Sequence, residues 1–414
     1  MRKAGIPLCG LLALTVSSCG DGGSTAPPSA PPSVIAKTLY SFGGTSTDAM
    51  GPTGVLLRGS DGNFYGTTLT GGLAECGNGI ATHDPFFIGC GTVFRITPSG
   101  AEAVLCSFAA APGDGTNPEV LTQGGDGNFY GTTFGGGANN LGTVFRLTPD
   151  GVETILYSFA GGSDGAGGQG LAQGSDGNFY GTTSRGGAGD SGTFFKLTPQ
   201  GVETVLYSFA DASDVAADGA IPSGQLVEGS DGSFYGVTSY GGLMISGTND
   251  LYGGTVFKVT SAGMETVLHR FDGADGVSPV GGLIQGIDGN FYGTTSFGGT
   301  VFKITPEGFT TTLYAFSALI YDGVGPLAQL MQRSDGNFYG TASGGGKNEG
   351  GAVFRVTPGG VETVLYSFPL FSNFTFSAPS PQTNLVQGSD GNLYGATYYG
   401  GAYDRGYFFR LVVN

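Results

Sequence analysis

The sequence is poor in the residues that carry most enzyme and nucleic-acid chemistry. Its 414 residues include no tryptophan, two histidines, and 16 lysines and arginines against 32 aspartates and glutamates, for a net charge of −16 at pH 7. An acidic surface repels phosphate backbones, so no nucleic-acid partner is expected. The nucleophile elbow, the zinc-protease helix and the Walker loop are missing from the sequence. The lack of tryptophan weakens the case for a lectin.

Glycine, in contrast, is abundant, with 82 residues, and it marks a repeat. The hexapeptide Asp-Gly-Asn-Phe-Tyr-Gly, or a near copy, recurs about every 55 residues, which predicts a stacked or radial repeat. A residue present in every copy is explained most simply by folding. The copies begin at Asp61, Asp126, Asp176, Asp231, Asp288, Asp335 and Asp390.

Each copy contains four short segments with strand character. In the third copy they are residues 171–174, 179–183, 192–198 and 202–209, separated by glycine-rich turns. Four antiparallel strands that repeat radially are typical of a β-propeller blade.

The two ends of the repeat region complement each other. The last copy stops after its third strand, 406–411, and residues 35–42 match the fourth strand that it lacks. A strand supplied by the N-terminus would complete the last blade and leave no open sheet edge, whereas a β-solenoid would need no such strand. The sequence therefore predicts an all-β fold, a seven-bladed β-propeller of four-stranded antiparallel blades over residues 34–414.

The repeated blocks resemble those of the GloVer tandem-repeat family, bacterial proteins whose repeats are joined to differing anchors. The blocks that carry the resemblance are residues 126–133, 142–149 and 204–209, and it extends over about residues 35–414. The resemblance implies a repeat fold and no particular activity.

The N-terminus indicates a lipoprotein signal peptide over residues 1–18. Two basic residues precede a short apolar stretch, 4–16, and the sequence Val-Ser-Ser before Cys19 resembles a lipobox. Residues 19–33 then form a tether rich in Gly, Ser and Pro. We therefore expect acylation of Cys19 and a lipid-anchored location in a bacterial cell envelope, at the outer membrane or cell surface. Plain secretion is the alternative.

The remaining cysteines fit an oxidising compartment. A Cys76–Cys90 disulfide would close one loop and stabilise the fold by roughly 3 kcal/mol. A Cys90–Cys106 bridge is the alternative. Cys106 stands where most copies have tyrosine, which favours a buried thiol.

Three side chains that recur in every copy are interpreted as structural. The turn aspartates would accept backbone hydrogen bonds, and the second-strand tyrosines would pack between blades. A base on each third strand would pair with a carboxylate. These bases are Arg95, Arg146, Lys196, Lys258, Lys303, Arg355 and Arg410.

Binding is expected on the face where loop length varies, because variable loops on a rigid scaffold usually carry function. The loops over residues 69–90 and 239–253 are the longest there. A second aspartate motif should place six carboxylates around the mouth of the central channel, where Ca²⁺ could neutralise them, although an ordinary Asp-Gly turn explains the motif too. These aspartates are Asp48, Asp114, Asp164, Asp218, Asp275 and Asp322.

Further candidates on that face are His83 and an aromatic rim formed by Tyr240, Tyr252, Tyr398 and Tyr399. The favoured hypothesis is a monomeric, membrane-tethered, non-enzymatic propeller outside the cytoplasm that binds a protein, peptide or glycan. One alternative is a propeller hydrolase or lyase that acts at the channel mouth with a bound cation. Another is a structural or adhesive envelope protein.

Overall fold

The computed structural model describes residues 34–73, 89–108, 113–209, 218–245, 252–317, 322–370 and 378–413. Within these ranges the chain is all-β, with one 3-10 turn at Gly162–Asp164 and no α-helix. Seven four-stranded antiparallel sheets form the blades of a β-propeller, which confirms the predicted fold. No helix in the described ranges is long and apolar enough to cross a membrane.

The strands follow one another in chain order. Those up to the end of blade 3 are β1 (Val34–Ser41), β2 (Ala49–Arg58), β3 (Phe64–Gly71), β4 (Thr92–Ile96), β5 (Glu102–Ser107), β6 (Gly115–Gln123), β7 (Phe129–Gly136), β8 (Thr143–Leu147), β9 (Glu153–Ser158), β10 (Ala166–Gln173), β11 (Phe179–Arg185), β12 (Thr193–Leu197) and β13 (Glu203–Ser208).

Blades 4 to 7 continue in the same way. Their strands are β14 (Ala220–Glu228), β15 (Phe234–Tyr240), β16 (Thr255–Val259), β17 (Glu265–Arg270), β18 (Ile284–Gln285), β19 (Phe291–Thr295), β20 (Thr300–Ile304), β21 (Thr310–Ala315), β22 (Gly323–Val324), β23 (Met331–Gln332), β24 (Phe338–Ala342), β25 (Gly344–Gly345), β26 (Ala352–Val356), β27 (Glu362–Ser367), β28 (Val386–Gln387), β29 (Leu393–Thr397) and β30 (Tyr407–Val413).

Ring closure occurs as the sequence predicts. The last sheet has the order β1-β30-β29-β28, so the N-terminal strand is its outer strand. Val34 lies opposite Val413, and Ser41 lies opposite Tyr407. The pairing thus uses the backbone groups of β30 that would otherwise form an open edge.

The first strand of blade 3 is longer than predicted. It covers Ala166–Gln173 and pairs with β11 along its whole length, with an irregularity between Gly168 and Leu171. Its N-terminal half lacks the apolar alternation by which a strand is predicted from sequence. It is nevertheless a strand, because the backbone N–H and C=O groups of the second strand are available to pair with it.

The hydrophobic core lies between blades. The Tyr130 ring of blade 2 packs on the Phe179 ring of blade 3 with centroids 4.0 Å apart, and Tyr394 of blade 7 packs on Phe64 of blade 1 at 4.4 Å. Buried clusters extend from each blade to the next. The predicted packing role of the second-strand tyrosines is confirmed.

The antiparallel order gives the ring two different faces. The turns that join first to second and third to fourth strands lie on one side, which we call the turn face. The connections after the second and fourth strands lie on the other side, which we call the loop face.

Candidate functional site

The seven repeated aspartates lie in tight turns on the turn face. Asp176 accepts hydrogen bonds from the backbone N–H of Asn178, its side-chain amide and the Tyr180 hydroxyl, at 3.0, 2.8 and 2.9 Å. Burial alone would raise the pKa of Asp176, but these bonds and Lys196 together lower it to about 2. The same tyrosine bond recurs in every blade at 2.6 to 2.9 Å, so the predicted structural role is confirmed.

The third-strand bases contact their own blades. Three of them are lysines that form ion pairs with the turn aspartates: Lys196–Asp176 at 3.2 Å, Lys258–Asp231 at 2.7 Å and Lys303–Asp288 at 2.8 Å. Arg146 and Arg355 instead donate to threonines on the fourth strand, at 3.4 and 3.2 Å. The prediction of a carboxylate partner is confirmed for the lysines.

The second set of aspartates is found between blades. The Tyr40 hydroxyl of β1 donates to Asp48 at 2.8 Å, and Tyr157 of β9 donates to Asp164 at the same distance. His269 of β17 takes the place of the tyrosine and contacts Asp275, which precedes blade 5, at 2.6 Å. These partners all belong to the outer strand of the preceding blade.

A glutamate at the start of the next outer strand completes this arrangement in five blades. In each case burial, followed by the charge of the neighbouring aspartate, raises the pKa of the glutamate to about 7. One buried oxygen of each glutamate has no hydrogen-bond partner among the residues that the structure describes. We call these groups the outer clusters; their pairs are Asp48 and Glu102, Asp114 and Glu153, Asp164 and Glu203, Asp218 and Glu265, and Asp322 and Glu362.

The placement of these aspartates corrects the prediction of a carboxylate ring at the channel mouth. Asp48, Asp114, Asp164, Asp218, Asp275 and Asp322 face outer strands. A residue with positive φ stands three positions after each of them. Throughout the described ranges, no group of three or more His, Cys, Asp or Glu side chains could hold a metal ion.

The cysteine predictions have mixed outcomes. Cys90 is disulfide-bonded, and the predicted partner, Cys76, lies outside the described residues, as do Cys19 and His83. Cys106 is a free, buried thiol that donates to Glu153 at 3.3 Å. The alternative Cys90–Cys106 bridge is therefore wrong.

The predicted aromatic rim consists of two separate pairs. The rings of Tyr240 and Tyr252 have centroids 4.8 Å apart in blade 4, and those of Tyr398 and Tyr399 are 4.5 Å apart in blade 7. All four side chains are half-buried. The two pairs belong to blades that are not neighbours, so they do not form one surface.

Other apolar side chains on the loop face are more exposed and were not among the candidates. Phe134 lies near the end of β7, the second strand of blade 2, and Phe297 follows the second strand of blade 5 and is 66% exposed. The Arg185 guanidinium lies 5.0 Å from the centre of the Phe134 ring. The sequence already marks Phe134 as unusual, because several other copies of the repeat have serine at this position. The exposed apolar residues of this face also include Leu73, Leu243, Met244 and Tyr403.

One inner-strand carboxyl was missed as well. Glu119 lies in β6, is half-buried, and makes no side-chain hydrogen bond or ion pair with any residue that the structure describes. Burial raises its pKa to about 7. In the other copies the same position, after the first-strand proline or its substitute, is uncharged: Thr53, Gln169, Ser223, Val280, Leu327 and Gln382.

Comparison with known proteins agrees with the repeat and with the ring. The model of the Gloeobacter/Verrucomicrobia repeat matches residues 79–249 and 243–414. A streptogramin B lyase structure is 16% identical with a TM-score of 0.59, and the match covers 92% of this chain and 98% of that chain. An inactive variant of virginiamycin B lyase from Staphylococcus aureus, with quinupristin, is 14% identical with a TM-score of 0.60 over 92% and 100% of the two chains.

At such low identity these likenesses show the propeller fold alone. No curated relative matches the chain in sequence.

Proposed function

Since the chain belongs to the Gloeobacter/Verrucomicrobia repeat family, whose repeat here forms a closed propeller, we propose that it is a binding protein rather than an enzyme. Its loop face would bind a protein, peptide or glycan outside the cytoplasm. An acylated Cys19 would hold the ring at a membrane of the cell envelope.

The observation that carries the proposal is the group of exposed apolar side chains on the loop face. Phe297 is 66% exposed, Met244 52% and Tyr403 53%, and they lie after second strands, where loop length varies between blades. Solvent-exposed aromatic and methionine side chains provide the contact area on which binding surfaces depend.

The alternatives receive less support from the polar groups. The repeated carboxylates are held by turn amides, tyrosines and lysines, or lie in the outer clusters away from the axis. A non-enzymatic binding role needs none of them.

The test is a binding comparison of two variants. Envelope proteins, peptides and glycans are screened against immobilised protein, and any ligand is measured again with Phe297→Ser combined with Met244→Ser. The proposal expects binding to weaken at least about tenfold, because a well-packed interface anchor contributes on the order of 2 kcal/mol.

Ile287→Ser is the matched control, since Ile287 is 83% exposed but lies in a turn on the opposite face. It should leave affinity unchanged. Equal weakening by both variants, or unchanged binding by both, would argue against a loop-face site.

A hydrolase or lyase that uses a bound cation remains the second candidate, and Glu119 is the observation in its favour. A carboxyl on the inner strand, without a counter-charge among the described residues, could act as a general acid or as one oxygen ligand of Ca²⁺. Calorimetric titration with Ca²⁺ tests this candidate. A heat of Ca²⁺ binding that disappears in Glu119→Gln would support this candidate. If the unmodified protein gives no heat of binding, the candidate loses its proposed cation.

A further inference from the structure

The turn face has an exposed apolar side chain at the same position in six of its seven blades. The position comes directly after the glycine of the turn between third and fourth strands, or matches it on the closing strand. The side chains are 61% to 74% exposed, and blade 1 has the smaller Ala101 instead. They are Ile35, Val152, Val202, Met264, Phe309 and Val361.

Folding does not require apolar side chains there. The Val152 N–H donates to Thr148 Oγ1 at 3.0 Å, which closes the turn through the backbone. In blade 1 the Ala101 N–H makes the same bond to Thr97, also at 3.0 Å. The turn therefore forms whatever the side chain is, and an exposed Val, Met or Phe adds no core contact.

The arrangement suits a flat partner. One side chain per blade, at the same level of a closed ring, gives contact points that surround the face, and neighbouring points belong to different blades. Ile287, in the Asp-Gly turn of blade 5, adds an exposed side chain on the same face. A peptide-binding groove would require these side chains to lie side by side, whereas they are distributed around the ring. A lipid surface can contact all of them at once.

The repeated charges of this face offset each other, and the exposed turn acids Asp150 and Glu307 are matched by Arg58 and Arg333 at the ends of first strands. Each blade carries one turn aspartate and one third-strand base, and three of these pairs are direct ion pairs. The net charge of −16 therefore arises from other residues. Anionic lipids would be repelled less by this face than the total charge suggests.

The chain enters the ring at this face. Val34 lies opposite Val413, the end of the last third strand, and third strands end on the turn face. Residues 20–33 separate it from Cys19. For the flexible tether that the composition of these residues predicts, the root-mean-square span is roughly 20 Å, so an acylated Cys19 would hold the turn face near the membrane.

We propose that the turn face lies against the bilayer to which Cys19 is anchored, with the side chains of Ile35, Val152, Val202, Met264, Phe309 and Val361 at the lipid interface. The loop face then points away from the membrane. The inference rests on the lipid anchor of the proposed function and adds the orientation of the ring. The lipid would hold the chain at the membrane, and the apolar contact would determine which face of the ring meets the bilayer.

The absence of tryptophan allows a direct test. Phe309→Trp places a single reporter on the turn face, and Phe297→Trp places one on the loop face at similar exposure, 74% against 66%. The lipidated full chain is reconstituted in vesicles of phosphatidylethanolamine and phosphatidylglycerol that contain brominated lipid. We expect blue-shifted, quenched emission from Phe309→Trp and unchanged emission from Phe297→Trp. Quenching of neither reporter, of both, or of Phe297→Trp alone would overturn the orientation.

Failure of the anchor is separated from failure of the orientation by two further measurements. If Cys19→Ser remains in the membrane fraction, the lipid anchor is wrong. The full chain is then attached to nickel-chelating vesicles through an N-terminal hexahistidine, and the same two reporters are compared. Selective quenching of Phe309→Trp on these vesicles would support the turn-face contact without the natural lipid anchor. If Val152→Ser combined with Val202→Ser abolishes that quenching, the contact depends on the exposed apolar side chains of the turn face.

Discussion

The glycine that ends each Asp-Gly-Asn-Phe-Tyr-Gly block is fixed by a neighbouring aromatic ring. A Cβ atom on Gly131 would lie 2.5 Å from Cζ of Phe145 and 2.5 Å from the carbonyl oxygen of Val120. A third-strand phenylalanine occupies this place in the other copies too: Phe94 at Gly66, Phe195 at Gly181, Phe257 at Gly236, Phe302 at Gly293, Phe354 at Gly340 and Phe409 at Gly395. Close packing across the sheet explains the repeated glycine.

Gly131→Ala should therefore lower the free energy of unfolding by about 1–3 kcal/mol, because the added methyl group displaces the Phe145 ring. Urea unfolding measures the loss. Gly125→Ala in the same blade is the control, since its Cβ would meet only the Gln173 side chain, at 3.7 Å. Its effect should stay within about 0.5 kcal/mol. Equal losses would contradict the packing explanation.

The turn aspartate is the second residue whose role can be measured. Asp176→Ala removes the acceptor of Asn178, Tyr180 and Lys196 and should lower the free energy of unfolding by about 1–2 kcal/mol, since part of the loss is restored by water. Chemical denaturation with Asp150→Ala, an exposed residue in the turn between the third and fourth strands of blade 2, provides the comparison. No difference between the two variants would disprove the structural role.

At the scale of elements, the outer strands carry the carboxyl groups whose pKa is raised by burial together with a neighbouring charge. Each outer cluster brings a glutamate from one outer strand towards an aspartate, and Asp48, Asp164 and Asp322 accept a hydrogen bond from a tyrosine of the preceding outer strand. Two carboxylates in a partly buried site repel each other unless one of them is protonated. Blade 5 has Thr310 at the glutamate position and blade 7 has Ala36, so those two blades avoid the repulsion.

The outer clusters predict that stability falls as pH rises. Burial and the Asp164 charge raise the pKa of Glu203 to about 7, from an ordinary value of 4.5, and Tyr157 also faces the cluster. The folded chain then binds more protons than the unfolded chain between these values, so the free energy of unfolding decreases as pH rises through about 7.

Urea unfolding at about pH 6 and about pH 8 measures this dependence. Glu203→Gln should remove about 1–2 kcal/mol of the difference and stabilise the protein at the higher pH. Glu307→Gln changes an exposed glutamate of a turn and should leave the difference as it is. Identical pH dependence in both variants would contradict the assignment.

At the scale of the whole molecule, stability depends on ring closure. Strand β1 supplies the outer strand of the last blade, and the chain continues into Phe42, which is fully buried and packs edge-on against Phe94 at 5.2 Å. The packed rings of Tyr394 and Phe64, on the second strands of blades 7 and 1, connect the same two blades. The first and last blades therefore share a core although they are far apart in sequence.

Deletion of residues 1–42 should thus cost far more than deletion of residues 1–33. The longer deletion removes β1 and Phe42, so we expect a loss of at least about 4 kcal/mol and association through the open edge of β30. Thermal unfolding and size-exclusion chromatography with light scattering measure both effects. A stable monomer after the longer deletion would show that closure is dispensable.

The sequence by itself determined the local structure and the number of blades. The Asp-Gly turns, the four strand segments and the match between residues 35–42 and the missing strand are local patterns with a fixed period, so they can be read without knowledge of the ring. The roles of Asp176 and Tyr180 followed from the same reasoning, since every blade needs them.

Only the tertiary structure decided where the carboxylates meet. Asp48 and Glu102 are 54 positions apart and come together because the outer strand of one blade packs against the next, which no repeat pattern specifies. The exposed ring that includes Val152 and Phe309 became visible in the same way. A strand pattern gives the period of a blade, but the twist and packing of neighbouring blades determine which side chains are buried together and which remain at the surface.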